Sequence, residues 1–556
     1  MGQSPHLKLT PEQRIGLWAL DAELGIDITE LAFPESNKSA KKVFRMAADF
    51  RERYLPTLYA SFGKTRHPHK TAQEDAGMQA LIQVGAPIVT LVGKASDRHA
   101  RQELRVDPET NLAIITDSIR YIRSETGARV ILDGEMASDG LLENPDYVHR
   151  LMELAFDAGA DTFVVCDTTG RDFPYPCEDH GKMQDGVYET FRKLRRLFGW
   201  QKHLGYHGHN DRDCGTANVC AAVAGGADHA HVTRGGLSER TGMAKLEAVV
   251  GNLSQMGYDI LRPGALRELT PNARRAAELL DIPIRPDAPY VGPDAFSHKA
   301  GMHTSGNSRT KEERTKAYEH IRPEEVGNAG YVILSEDAGV STIVEFLNEC
   351  TVLPPDVREE LSQETNARAL LTFLKEEHEN GISYLQAKVS FLLRALEKFG
   401  YFHPPFRLVD TKWNADSKTG TDATVEVEMN GGRNNHHHHS PSIHKKGPVD
   451  AASAALTSAL EKEFPVVQNL QLRHYNVHEI SSEGTASRVQ VVCNFTDGEE
   501  CFYATGMDSN IIDASQAAFV DAMYYMLYKE QHRTGGHRES RGSTVEVPAT
   551  VPLAAV

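Results

Sequence analysis

The sequence predicts an α/β chain whose first half is a TIM (β/α)8 barrel, followed by helical linker subdomains and a C-terminal α+β domain. Three observations carry this reading. Short apolar, strand-like runs alternate with helical stretches as far as about residue 265. The pattern then becomes mainly helical, as in RRAAELL and FLLRALEKF. From Phe406 onward a rough internal repeat sets groups of strands before a helix, twice over.

The first helix is marked by Thr10 at its N-cap, Pro11 at its first position, Gln13 closing a capping box and Gly25 as a stop. Strand-like runs follow at 26–31, 56–61, 86–93, 128–133, 162–167, 204–209 and 230–233. Their repeat of roughly 30–40 residues is that of parallel βα units. A closed barrel needs eight strands and seven are visible, so the first strand is expected to precede Met1. An open doubly wound sheet is the alternative, although no G-x-G-x-x-G follows an early strand. The expected division is a barrel at 1–266, helical linker subdomains at 267–404, an α+β domain at 405–532 and a disordered polar tail at 533–556.

The bulk properties exclude several functions. At 556 residues the chain holds more than one domain, and 40% hydrophobic with 25% charged residues is a soluble globular composition. A formal net charge of −17 argues against general nucleic-acid binding. No apolar run is long enough to span a membrane, and residues 1–13 lack the features of a secretory signal. Seven scattered cysteines without C-x-x-C spacing read as reduced thiols, so the expected compartment is the cytoplasm, or an organelle matrix if the N-terminus is incomplete.

The strongest chemical signal is GYHGHND at 205–211. Residues i and i+2 of a strand share a face, so His207 and His209 project together at the end of a barrel strand, where they can hold a divalent metal. Alone, H-x-H is more often a pair of surface or hydrogen-bonded histidines. Glu135, after RVILDG, is placed to act as acid or base at the barrel mouth. Asp167 and Thr168 end TFVVCDTTG and can either support the metal ligands or cap the next helix. In VTRGGLSERTG, Glu239 and Arg240 can position each other and a substrate carboxylate or coenzyme phosphate, or form an ordinary surface pair. The His436–His439 tract sits in a Gly/Asn/Ser-rich loop and receives no catalytic role.

The series ELAFP (30–34), YASFG (59–63), VTLVGK (89–94), CDTTG (166–170), HGHND and T-x-G-G-x-x-E-R-x-G resembles the isopropylmalate/homocitrate/citramalate synthase family. PYVGPDAFSHKAGMH (289–303), YEHIRPEEVGN (318–328), GPVDA (447–451) and NIIDAS (510–515) are most similar to its citramalate synthase branch. The resemblance spans about residues 7–530. It implies a metal-dependent barrel, a C-terminal regulatory domain that binds an amino-acid effector, and a homodimer. It also implies condensation of acetyl-CoA with a 2-oxo acid, pyruvate favoured, with Mg²⁺, Mn²⁺ or Zn²⁺. Carried over by motif, His207 and His209 are the metal ligands, and Glu135, His303 and Tyr318 serve catalysis. Thr168, Thr233, Glu239 and Arg240 border the substrates.

Three departures from the family pattern stand out. No Arg-Asp-Gly-x-Gln motif, source of the third metal ligand, lies in this chain. Met243 stands where Asn follows E-R-x-G, and Met136-Ala137-Ser138 replaces an aromatic stretch. They leave open a 2-isopropylmalate synthase-like enzyme that takes a larger 2-oxo acid, and a non-catalytic regulatory subunit. A carbon–carbon lyase is disfavoured by the C-terminal repeat.

Overall fold

The structure, a computed structural model, describes residues 4, 7–36, 38–179, 181–298, 318–330, 332–430, 436–480 and 487–535. The chain divides into two units. The first is Met1–Phe296 with Ile321–Gly330, and the second is Ser297–His320 with Tyr331–Val556.

In the first unit the strands are β1 (Ile28–Ala32), β2 (Leu58–Lys64), β3 (Ile88–Lys94), β4 (Arg129–Glu135) and β5 (Thr162–Asp167). A short ribbon of β6 (Cys177–Asp179) and β7 (Lys182–Gln184) comes next, then β8 (His203–Gly208) and β9 (His229–His231). The sheet runs β1-β2-β3-β4-β5-β8-β9 with every neighbouring pair parallel, so its order follows the chain. This is the arrangement of a TIM-type barrel, with seven strands among the described residues. The open doubly wound alternative would need a strand-order reversal, which the described sheet lacks.

The alternation of side chains sets what faces inward. Val130, Leu132, Phe163, Val165, Leu204 and Tyr206 point outward into the main apolar layer beneath the helices. Their neighbours Ala60, Ile88, Ile131, Val164 and Cys166 form a small apolar floor inside the sheet. One residue pair further along the strands the interior turns polar, and there the site begins. Helix Pro11–Leu24 closes one side. Thr10 and Gln13 make both capping-box bonds, and Gly25 ends the helix at φ 84°. Its Trp18, fully buried, donates its indole N–H to the Thr57 carbonyl at 3.2 Å.

The second unit contains helices Val340–Glu349, Pro355–Ser362, Glu364–Glu379 and Lys388–Lys398. Then come β10 (Phe406–Asp416), β11 (Gly420–Met429), β12 (His436–His439), β13 (Ile443–Lys445) and helix Pro448–Leu460. The second half of the repeat is β14 (Gln471–Glu479), β15 (Val489–Thr496), β16 (Cys501–Asp508) and helix Ile511–Gly535. Both sheets are antiparallel, and their inner faces share one apolar core with the helices, including Phe391, Phe406, Leu456, Phe495 and Met523. The His436–His439 tract, expected in a flexible loop, is instead a strand. It pairs with Met429–Glu426 of β11, and His437 Nδ1 lies 2.7 Å from Glu426 Oε1. The edge of β11 offers unpaired backbone groups that the tract satisfies. Most of the expected tail, from 536, lies outside the described residues. Among the described residues no helix is long and apolar enough to cross a membrane.

Candidate active site

Above the apolar floor the first unit holds a cavity of about 1620 Å³, lined at the C-terminal ends of its strands by Glu30, Asp133, Glu135, His207, His209 and His231 among others. Parity along the strands puts these groups together. Asp133 and Glu135 follow Ile131 on the inward face of β4, and His207 shares the face of Gly205 on β8. Tyr206, on the opposite face, packs edge-on to Phe191 of the outer helix at 5.9 Å, which holds the β8 register.

His207 and His209 are neighbours, with ring centroids 5.1 Å apart. His209 lies one residue beyond β8, bridged to Met243, and is buried with no partner for its Nδ1. The nearest polar partner of His207 is His231 of β9, Nδ1 to Nδ1 at 3.1 Å. The register aligns these two residues directly across the β8–β9 pair. His229 continues the row, its ring centroid 5.0 Å from that of His231. Four imidazoles therefore run along the inner wall. Burial lowers the His207 pKa well below the usual histidine value, with further depression from His231. It also lowers His209, and brings His231 to about 4 and His229 to about 3. All four are neutral donors at neutral pH, the form a metal requires.

The carboxylates facing this row are pushed the other way. Burial lifts Asp133 to about 8. Burial and then the neighbouring Asp133 lift Glu30 to about 7. Asp133 Oδ2 sits 3.9 Å from His231 Nδ1, while its Oδ1 is buried with no partner. Unpartnered donors and acceptors on a buried wall are costly, and they suit a site that binds something charged. No ion is needed to see that nitrogen and carboxylate donors converge here, which fits a divalent cation.

Glu135 lies nearer the mouth and pairs with Lys94 of β3 at 2.7 Å. Lys94 also meets Glu103, and His99 Nε2 lies 2.5 Å from the same Glu103. The pattern reading found Glu135 but not its lysine. Thr168 Oγ1 accepts from the Met136 N–H at 2.8 Å, which fixes the turn after Glu135, where Met136 adopts a left-handed φ of 61°. Asp167 points into its own loop, accepting from the backbone of Arg171 and Asp172 at 2.9 and 3.1 Å. Its side chain therefore orders that loop, while its carbonyl accepts from the His209 N–H at 3.3 Å.

The glycine-rich loop departs from expectation in its pairing. Arg240 binds Asp211, the last residue of GYHGHND, through Nε and Nη2 at 2.8 and 2.9 Å, and also the Thr168 carbonyl at 2.8 Å. Glu239 is exposed at the cavity rim and is not the partner of Arg240. Arg240 thus ties the loops after β5, β8 and β9 together. The glycines permit this close folding, since a Cβ on Gly242 (φ 89°) would lie 2.0 Å from the Gly236 carbonyl. Thr233 lines the cavity with a buried Oγ1 that has no partner. Tyr318 belongs to the second unit, is 45% exposed and packs near His298 at 6.1 Å between centroids. His303 lies outside the described residues.

Sequence reasoning missed Asp133, His231, Glu30 and Lys94. The first two had a readable signal: H-A-H at 229–231 repeats the i, i+2 spacing one strand on, and Asp133 shares the face of Glu135.

Comparison with known proteins adds the following. Residues 2–270 match the family described as HMGL-like, and residues 388–527 match the LeuA allosteric (dimerisation) domain. The chain is similar to an (R)-citramalate synthase of Aquifex aeolicus (strain VF5), 33% identical over 516 residues, 92% of each chain. It is 32% identical over 543 residues to an (R)-citramalate synthase of Geobacter sulfurreducens, covering 96% of this chain and 97% of that one. A 2-isopropylmalate synthase of Sulfolobus acidocaldarius is 31% identical over 362 residues, 64% of this chain and 84% of the relative.

Proposed function

The chain belongs to the citramalate synthase/2-isopropylmalate synthase family, and we propose from that premise that it joins the methyl carbon of acetyl-CoA to a 2-oxo acid and hydrolyses the thioester. Pyruvate is the favoured acceptor and citramalate the product. The observation that carries this reading is the cavity in which the His207–His209 wall, Glu135 and the Arg240 loop meet at the strand ends.

His207 and His209 would hold the cation, Mg²⁺, Mn²⁺ or Zn²⁺. When bound, it supplies polarisation of the acceptor's carbonyl and stabilisation of the charge that forms on its oxygen. The residues of this chain do the rest. Glu135, held at 2.7 Å from Lys94, lies at the mouth where a methyl proton must be taken up. Lys94 holds that carboxylate in place, so the base is ready without reorganisation. Thr168 and Thr233 offer hydroxyls to the substrates, and Glu239 and Arg240 border the coenzyme's entry. His303 and Tyr318 are proposed to assist catalysis. The matched LeuA domain supports an amino-acid effector and a homodimer.

A 2-isopropylmalate synthase-like preference for a larger 2-oxo acid is a second reading. It is favoured by the Sulfolobus relative. One experiment ranks the readings: free-thiol release from acetyl-CoA with a panel of 2-oxo acids and each metal. Release greatest with pyruvate is expected. Release greatest with a branched 2-oxo acid selects the second reading, and none with any acid contradicts both.

A further inference from the structure

We propose that the cation bound at His207 is held by His231 and Asp133 as well, so that the metal centre draws ligands from β4 and β9 in addition to β8. The proposal rests on the reading of His207 as a ligand and names the residues that complete its coordination.

Three observations carry it. One ligand atom from each of Asp133, His207 and His231 lies within 4.8 Å of the others, a grouping that does not include His209. The two Nδ1 atoms are 3.1 Å apart. Two donors at right angles on an ion, each bound at about 2.1 Å, would be about 3.0 Å apart, so little movement is needed. Finally, Asp133 is 5% exposed, faces the pair from 3.9 Å with Oδ2, and leaves Oδ1 without a partner. A hydrogen-bonded imidazole pair alone would account for the short nitrogen contact. It would not account for a buried carboxylate aimed at that pair with an unmet oxygen.

The placement is also rigid. Each ligand sits on a strand, and His207 and His231 are register partners whose separation the parallel sheet fixes. Two imidazoles and one carboxylate suit Zn²⁺, Co²⁺ or Mn²⁺ better than Mg²⁺, which prefers all-oxygen surroundings. Positions on the cavity side stay open for substrate oxygens.

The test is a titration of the chelator-stripped full chain with Co²⁺, read by calorimetry and by the visible bands of the bound ion. Each ligand loss should be compared with His209→Gln. His231→Gln and Asp133→Asn are each expected to weaken Co²⁺ binding by about tenfold or more and to alter the visible bands. Wild-type affinity and spectrum in both, with loss confined to His209→Gln, would overturn the proposal. So would absence of Co²⁺ binding in the folded wild-type chain. If circular dichroism shows His231→Gln to be unfolded, His231→Asn and Asp133→Asn decide by the same criterion. Thiol release from acetyl-CoA, measured on the same preparations, separates the two readings. A chain that binds Co²⁺ through these residues yet releases no thiol upholds the ligand set and contradicts the condensation.

Discussion

Each unit buries an aspartate, and the two are treated in opposite ways. In the C-terminal unit Asp521, on helix Ile511–Gly535, is almost fully enclosed and meets Arg394 Nη2 at 3.0 and 3.3 Å. In the barrel unit Asp133 is just as enclosed, but its nearest basic group is the neutral His231 at 3.9 Å, and one oxygen has no partner. The first arrangement settles a charge, whereas the second leaves a demand open. The same contrast runs through the interiors. The C-terminal unit fills its centre with Phe391, Phe406, Leu456 and Phe495, and the barrel gives up apolar packing above a thin floor for carboxylates and imidazoles. A fold accepts such a cost where binding or chemistry repays it.

The contrast can be broken by exchanging the condition of the two aspartates. Arg394→Met should strand Asp521 and cost the C-terminal unit about 3–5 kcal/mol. Hydrogen exchange in peptides from 388–398 and 511–532 should rise accordingly. Asp133→Asn should cost the metal-free barrel less than about 1 kcal/mol or stabilise it, because it removes a buried group with no charged partner. Equal losses in the two variants would erase the distinction.

Next in size is catalysis at the mouth. Glu135→Gln should lower kcat for thiol release by about 100-fold, the usual range for loss of a positioned acid or base. Lys94→Met should also lower the rate, since the lysine would no longer hold the Glu135 carboxylate in place. An unchanged rate would remove Lys94 from the site.

The smallest effect is on stability against pH. Glu30 in the folded barrel titrates at about 7, above its unfolded value near 4.5, so the folded state binds its proton more tightly. Its contribution is full below about pH 4.5 and is lost as pH rises through 7. His231, lowered to about 4, acts in the other direction, and stability is lost as pH falls from about 6.5 towards 4. Glu30→Gln should therefore stabilise the metal-free chain by about 1–3 kcal/mol at pH 8 and by little at pH 4.5. Denaturant unfolding at the two pH values measures it, and equal shifts would contradict the assignment.

Much of the fold was legible because periodicity is local. The capping box at Thr10, the strands that hold Glu135 and His207, and the two strand–helix groups after Phe406 are all visible in short windows. The site was legible only where one segment carried two functional groups, as GYHGHND does. His231 and Lys94 depend on which strand lies beside which, and the partner of Arg240 depends on how two loops fold back. The histidine strand at 436–439 was hidden for a related reason. Its composition reads as loop, and only the pairing edge of β11 makes it a strand.

The most direct measurement is acetyl-CoA-dependent thiol release by the metal-loaded chain with pyruvate, in wild type and in His207→Ala. The account predicts release that needs both substrates and a divalent cation, and a fall of about 1000-fold or more in the variant. Release that persists undiminished without His207, or no release from a folded chain that holds its cation, would contradict it.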